Sequence, residues 1–103
     1  MDKIISQLQP NEHYGCGTRL RVVYTHDGIT ESQTCILANT FEDPFLFQVI
    51  SIDGYHSGSV EGYIRRQYDQ DELNMTNICS GSHLLLELKE RVFQNIKSID
   101  LVK

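Results

Sequence analysis

The chain has 103 residues, of which 40% are hydrophobic, and its 14 acidic and 9 basic residues give a net charge of −5. This length accommodates one hydrophobic core, so we expect a single folded domain over residues 1–103. The chain has no apolar run of roughly 20 residues, so we do not expect it to span a membrane. The acidic balance argues against a protein that grips DNA or RNA by its phosphates.

The N-terminal part of the chain predicts a short helix followed by a loop. Residues 2–9 start with an aspartate that can cap a helix, and they place three apolar side chains on one face. Pro10 would end that helix. Residues 11–17 contain two glycines and no periodicity, which indicates a loop.

A β-hairpin is predicted next. Residues 19–26 alternate between two faces, as a strand does. Asp27-Gly28 is a strong signal for a tight hairpin turn, and the β-branched residues within 29–39 favour the return strand.

A second hairpin is predicted from the middle of the chain. Residues 45–52 form a nearly continuous apolar run, which is typical of a central strand. Glycines within 54–58 break the run, and residues 59–68 alternate again as the partner strand. Gly62 inside that strand indicates a bulge or a close approach to the backbone.

The C-terminal part predicts an amphipathic helix. Residues 69–77 are polar and indicate a solvated loop, after which Ser80 or Ser82 can cap a helix over residues 83–96. The apolar stripe of this helix is Leu85, Leu88, Val92 and Ile96, widened by Leu84 and Phe93. We expect the stripe to pack on the sheet.

These elements indicate an α+β fold. Glu87 and Arg91 form an i,i+4 pair on the helix, and residues 98–103 predict a last short strand. We therefore expect an antiparallel sheet of about four to five strands, built from two hairpins and packed by the C-terminal helix and the short N-terminal helix. A small, partly open barrel is the alternative, because strands dominate the middle of the chain.

The three cysteines point to neither a disulfide framework nor a metal site. Cys16, Cys35 and Cys79 lie far apart, their number is odd and no C-x-x-C occurs. The N-terminal segment also lacks the apolar stretch of a secretory signal, so we expect a cytoplasmic protein with reduced thiols. No phosphate-binding glycine motif is present, and we expect no cofactor.

Catalytic motifs are weak. No G-x-S-x-G nucleophile motif occurs. His26 and His56 lie beside predicted turns and could serve as the acid and base of a small hydrolase, which we keep as a rival hypothesis. The expected function is binding, and the protein is not expected to be an enzyme.

Two acidic surfaces are candidates for contact with a protein partner, because aromatic side chains flanked by charge are typical of interfaces. One consists of Tyr68, Asp69, Asp71 and Glu72. The other consists of Glu42 and Asp43 beside Phe41.

The turn between the second pair of strands carries a resemblance to a known family. Residues 49–51 are followed by Gly54, Tyr55, Ser57 and Gly58. This Gly-Tyr-x-Ser-Gly step resembles one found in small bacterial immunity proteins of polymorphic toxin and contact-dependent growth inhibition systems. A tryptophan-containing helix follows in that family; here residues 82–93 take its place without a tryptophan.

The resemblance implies a single cytosolic domain that binds and neutralises a cognate toxin domain. Many such toxins are nucleases with basic clefts, which an acidic protein could cover. Gly54 and Gly58 would then serve the turn, and Tyr55 and His56 at its tip would contact the toxin. An adaptor or regulatory binding module of another kind is the alternative.

Overall fold

The computed structural model describes residues 4–42, 44–54, 57–66 and 78–102, within which it contains eight strands and one helix. The elements are β1 (Ile4–Gln7), β2 (His13–Gly15), β3 (Arg19–His26), β4 (Ile29–Asn39), β5 (Phe45–Ser51), β6 (Val60–Arg65), β7 (Ile78–Ser80), α1 (Gly81–Glu87) with a π-helical continuation (Leu88–Val92), and β8 (Ile96–Val102). No helix in these ranges is long and apolar enough to cross a membrane.

The strands form two antiparallel sheets. Six of them are arranged in the order β1-β8-β3-β4-β5-β6, and β2 pairs with β7 in a small second sheet. Together with the C-terminal helix this confirms the α+β class and the antiparallel sheet. The large sheet has six strands where four to five were expected, and β1 and β6 lie at its two ends, so the described strands do not close into a barrel.

The predicted short N-terminal helix is wrong. Residues 4–7 form β1, which pairs with β8 so that Gln7 lies opposite Asp100. A segment this short before Pro10 nucleates a helix poorly, whereas the edge of β8 offers unpaired backbone groups that a strand satisfies. The predicted loop over 11–17 likewise contains β2, because Tyr14 pairs with the distant Cys79.

Both predicted hairpins are confirmed. The bounds of β3 and β4 match the prediction, and Asp27 and Gly28 have φ angles of 50° and 78°, as the two central residues of a type I′ turn require. In the second hairpin Gly62 meets both expectations. The β5–β6 register shifts beside Gly62, and a Cβ there would lie 2.9 Å from Cγ2 of Val92.

The C-terminal helix is confirmed at its start and is shorter than predicted at its end. The Ser80 hydroxyl caps it by accepting the His83 N–H at 3.2 Å. The helix ends at Val92, where Phe93 becomes extended and Asn95 adopts a φ of 55° to turn the chain into β8. The predicted end at residue 96 is therefore wrong, since Ile96 begins β8.

The helix packs on one face of the large sheet. The core joins side chains from both sheets and from the helix: Leu8, Tyr14, Leu20, Val22, Cys35, Leu37, Leu46, Phe47, Val49, Ile64, Cys79, Leu84, Leu88, Phe93 and Ile99. Of the predicted helix stripe, Leu88 is fully buried and Leu85, Val92 and Ile96 are half-buried against this core.

Candidate functional site

A groove of about 540 Å³ lies between the C-terminal end of the helix and the part of the large sheet near the turn of the first hairpin. Three strands (β3, β4 and β6), the last residue of the helix and the segment after it line the groove. The lining residues are Tyr24, Thr25, His26, Glu31, Gln33, Glu61, Val92, Phe93 and Gln94. This volume falls in the range of ordinary ligand pockets.

The groove arises because one face of the first hairpin changes from apolar to polar along its length. In the β3–β4 register Val22 pairs with Gln33, and Tyr24 pairs with Glu31. Residues two apart on a strand share a face, so Tyr24 follows the fully buried Val22, and Glu31 and Gln33 precede the fully buried Cys35. The core face therefore becomes a polar surface near the hairpin turn.

Gln33 organises this surface. Its side chain is buried, with 5% exposed. Its amide nitrogen donates to Ser51 Oγ at 2.6 Å and to Glu61 Oε1 at 2.8 Å, and its amide oxygen accepts from the Tyr24 hydroxyl at 3.3 Å. One amide thus joins side chains of β3, β5 and β6 to β4, which fixes the floor of the groove.

The ionised side chains that line the groove are acidic. The pKa of Tyr24 is raised, first by burial and then by the neighbouring carboxylates of Glu31 and Glu61. The phenol therefore remains a neutral donor at physiological pH. Of the nine described lining residues, two are glutamates and none is lysine or arginine.

The groove also has an aromatic wall and a buried hydroxyl. The rings of Tyr24 and Phe93 lie 5.2 Å apart between centroids, tilted by 31°. Thr25 lines the groove, and its Oγ1 is buried with no hydrogen-bond partner in the described part of the chain. Such an atom costs about 1–3 kcal/mol unless it finds a partner. The groove carboxylates and the half-buried Tyr24 ring suit an organic cation.

Most of the predicted contact residues lie outside the described residues: Asp43, Tyr55, His56, Tyr68, Asp69, Asp71 and Glu72. Glu42 is described and is exposed after β4, beside Phe41, whose side chain is 100% exposed. Glu31 and Asn39 lie near opposite ends of β4, about 27 Å apart at the rise of a strand. Glu42 therefore belongs to a different end of the molecule from the groove.

His26 is the one member of the proposed histidine pair that the structure describes. Its Nε2 lies 3.3 Å from Asp27 Oδ2, and both side chains are largely exposed at the hairpin turn. His26 contributes to the rim of the groove. His56, its suggested partner, lies outside the described residues.

The sequence reasoning missed Tyr24, Glu31, Gln33 and Glu61 as site residues. A signal was present in β4, where Glu31 and Gln33 fall in phase with the apolar Cys35 and Leu37. Polar side chains in phase with a buried face are informative because they need partners when they fold inward.

A second polar cluster fastens the helix to β6. The predicted Glu87–Arg91 pair is present, with Arg91 Nε 3.2 Å from Glu87 Oε2, but Glu87 is fully buried. Its Oε1 accepts the Arg65 backbone N–H at 2.8 Å and the Arg65 Nε at 3.2 Å. His83 Nε2 lies 2.6 Å from the Arg65 carbonyl oxygen. The helix thus satisfies the backbone of an end strand.

Two of the three described thiols are shielded from solvent and held in the neutral form. Cys35 and Cys79 are buried, and burial is the first cause that raises the pKa of each to about 12, with nearby carboxylate charges adding to it. Cys16 is exposed. Within the described ranges no group of three or more His, Cys, Asp or Glu side chains is arranged to hold a metal ion.

Comparison with other proteins gives no family for this chain. No protein-family model, no curated protein and no solved structure matches it. The groove and its chemistry are therefore the basis for the functional assignment.

Proposed function

We propose that this protein is a non-enzymatic binding module for a basic protein partner, and that it acts as an immunity protein against a cognate toxin domain. The single observation that carries the proposal is the acidic groove beside the first hairpin, with its exposed Glu31. A groove that offers carboxylates, a neutral phenol and an aromatic wall is suited to hold the cationic side chain of a partner.

The charge of the whole chain supports the same kind of partner. A net charge of −5 steers encounters with a basic surface and raises the rate of association. A nuclease binds its phosphate substrate with a basic cleft, so an acidic protein that covers the cleft would block the substrate. The toxin class follows from the resemblance of the Gly54–Gly58 turn, and we expect a nuclease.

Affinity capture with the tagged protein from its own host tests the proposal. We expect a stoichiometric partner with a basic toxin domain, whose activity falls linearly to zero as the purified protein is added to a 1:1 ratio. A captured partner without toxic activity, or recovery of the protein alone, would remove the immunity assignment.

Charge variants locate the contact. We expect Glu31→Gln to slow association with the partner severalfold, while Glu12→Gln, which removes the same charge from an exposed position near the start of the helix, has little effect. Glu42→Gln tests the acidic surface beside Phe41. Equal rates for wild type and Glu31→Gln would show that the groove is not the contact surface.

A further inference from the structure

We infer that the groove beside the first hairpin is a receptor for a single arginine side chain of the partner. The inference rests on the proposed function, since it names what the partner places there. Three features of the groove select a planar, cationic, hydrogen-bond-donating group over other ligands.

The first feature is the position of Glu31. Its side chain is exposed, it lines the groove, and it sits next to the Tyr24 phenol, whose neutral hydroxyl adds no charge. A guanidinium can donate two parallel hydrogen bonds to a carboxylate, and such charged pairs are stronger than hydrogen bonds between neutral groups. Glu61 adds negative charge to the floor while it accepts from Gln33 at 2.8 Å.

The second feature is the aromatic wall. Tyr24 and Phe93 both line the groove with ring centroids 5.2 Å apart. Phe93 is buried in the core and supports the Tyr24 ring, so the half-buried Tyr24 is the ring that a ligand can reach. A guanidinium can stack on that ring by its flat face and still donate at its edge. An ammonium is more strongly hydrated and loses more hydration free energy when it leaves water. The wall also argues against Ca²⁺ or Mg²⁺, each of which takes six or more oxygen ligands.

The third feature is the floor of the groove. Both hydrogens of the buried Gln33 amide are used, one by Ser51 Oγ at 2.6 Å and one by Glu61 Oε1 at 2.8 Å. This amide therefore has no donor left for an anionic ligand, which favours a ligand that donates hydrogen bonds to the groove carboxylates. The fixed amide of Gln33 keeps the floor in place while the ligand binds.

Titration of the ¹⁵N-labelled full chain with three blocked tripeptides tests the inference. The probes are acetyl-Gly-Arg-Gly-amide, its lysine counterpart and its citrulline counterpart, which is planar and uncharged. We expect saturable shifts of the amide signals of Tyr24, Glu31, Gln33 and Phe93 with the arginine peptide. Its affinity should exceed that of the lysine peptide at least threefold, and the citrulline peptide should not saturate.

Two matched variants complete the design. Glu31 is exposed, and Glu31→Gln keeps the shape of its side chain. We expect this variant to bind the arginine peptide with at least fivefold lower affinity. The affinity of the Glu12→Gln variant for the arginine peptide should stay within twofold of that of the wild type. Equal binding of arginine and citrulline, equal binding of arginine and lysine, or shifts confined to residues away from the groove would each overturn the inference.

The result is separable from that of the proposed function. If the arginine peptide does not bind but partner association still depends on Glu31, the binding function stands and the arginine assignment fails. If the peptide binds and no basic partner is captured, the receptor stands and the immunity assignment fails.

Discussion

Glu87 is a fully buried carboxylate with both oxygens accepting hydrogen bonds from arginines. Burial raises its pKa, but the hydrogen bonds from the Arg65 backbone and guanidinium, and the charges of Arg65 and His83, outweigh burial and lower the pKa from its usual 4.5. A depressed pKa in the folded state means that the charged form stabilises the fold.

We expect the Glu87 contribution to stability to be present above the unfolded-state pKa and to be lost as the pH falls through the folded-state pKa. Glu87→Gln should lower the free energy of unfolding at pH 7 by about 1–3 kcal/mol, less than for a fully buried ion pair because both arginines are half-exposed. Urea unfolding from pH 7 to pH 3 should then show a smaller acid loss in the variant than in wild type. Equal losses would show that the carboxylate charge does not stabilise the fold.

Gly62 supports a second prediction at this scale. A Cβ at this position would lie 2.9 Å from Val92 Cγ2 and 3.3 Å from its Cβ, so the helix end would have to move. We expect Gly62→Ala to cost about 1–3 kcal/mol by urea unfolding. Val92→Ala removes the clashing methyls, so the glycine substitution should cost clearly less in that background. An equal cost in both backgrounds would contradict the packing explanation.

Single-residue features were predictable where the signal is local. The Ser80 cap, the Glu87–Arg91 spacing and the backbone approach at Gly62 each follow from a residue type within an element. The burial of Glu87 was not predictable, because its partner Arg65 lies on a distant strand. The groove residues were missed for the same reason, since the role of Gln33 depends on Ser51 and Glu61, which β5 and β6 supply.

At the scale of elements, the start of the helix is docked on the N-terminal turn. Gly81 N–H donates to the Glu12 carbonyl at 2.7 Å, and Ser82 N–H donates to the Pro10 carbonyl at 3.1 Å. These bonds satisfy two of the backbone donors that the first turn of a helix leaves without an intrahelical partner. A Cβ on Gly81 would overlap the Gln9 carbonyl oxygen, at 1.8 Å.

We expect Gly81→Ala to separate the N-terminal turn from the helix and to cost at least about 3 kcal/mol, because the clash is with backbone that cannot rotate away. Ser82→Ala, at the next and exposed position, is the matched control and should change stability by less than about 1 kcal/mol. Thermal unfolding followed by circular dichroism measures both. A Gly81→Ala variant as stable as the control would contradict the observed docking.

Elements were predictable from sequence when their partners are close in the chain. β3 and β4 are joined by Asp27-Gly28 and pair from the turn outward, so their bounds were correct. β1 and β2 pair with β8 and β7, near the other end of the chain, and no local pattern in four or three residues reports such partners. Residues 2–9 accordingly showed a helical spacing that tertiary pairing overrode.

At the scale of the whole molecule, the two sheets differ in how firmly they are held. β4 is hydrogen-bonded on both sides inside the six-stranded sheet. β7 pairs with β2 through three residues and has no second strand beside it in the described part of the chain. A two-stranded pair of this length is marginal alone, so we expect the small sheet to open at lower free energy than the large one.

The buried thiols make this difference measurable, because Cys79 lies in β7 and Cys35 in β4. With pKa values of about 12, both have almost no thiolate near pH 8 and should not react with a thiol reagent in the native state, whereas the exposed Cys16 should react at once. In rising urea, we expect Cys79 to be modified before Cys35, as read by mass spectrometry. A Cys16→Ser background removes the fast reaction, so that only the modification of Cys79 and of Cys35 is observed.

Global unfolding measured by circular dichroism supplies the reference. If the small sheet opens locally, Cys79 modification should depend less steeply on urea than Cys35 modification, because a local opening exposes less surface. Cys35 should follow the global transition, since β4 cannot leave the sheet without breaking the ladders on both sides. Modification of both thiols in one step with the global transition would contradict this expectation, and would mean that the helix docked on the N-terminal turn unites both sheets into one cooperative unit.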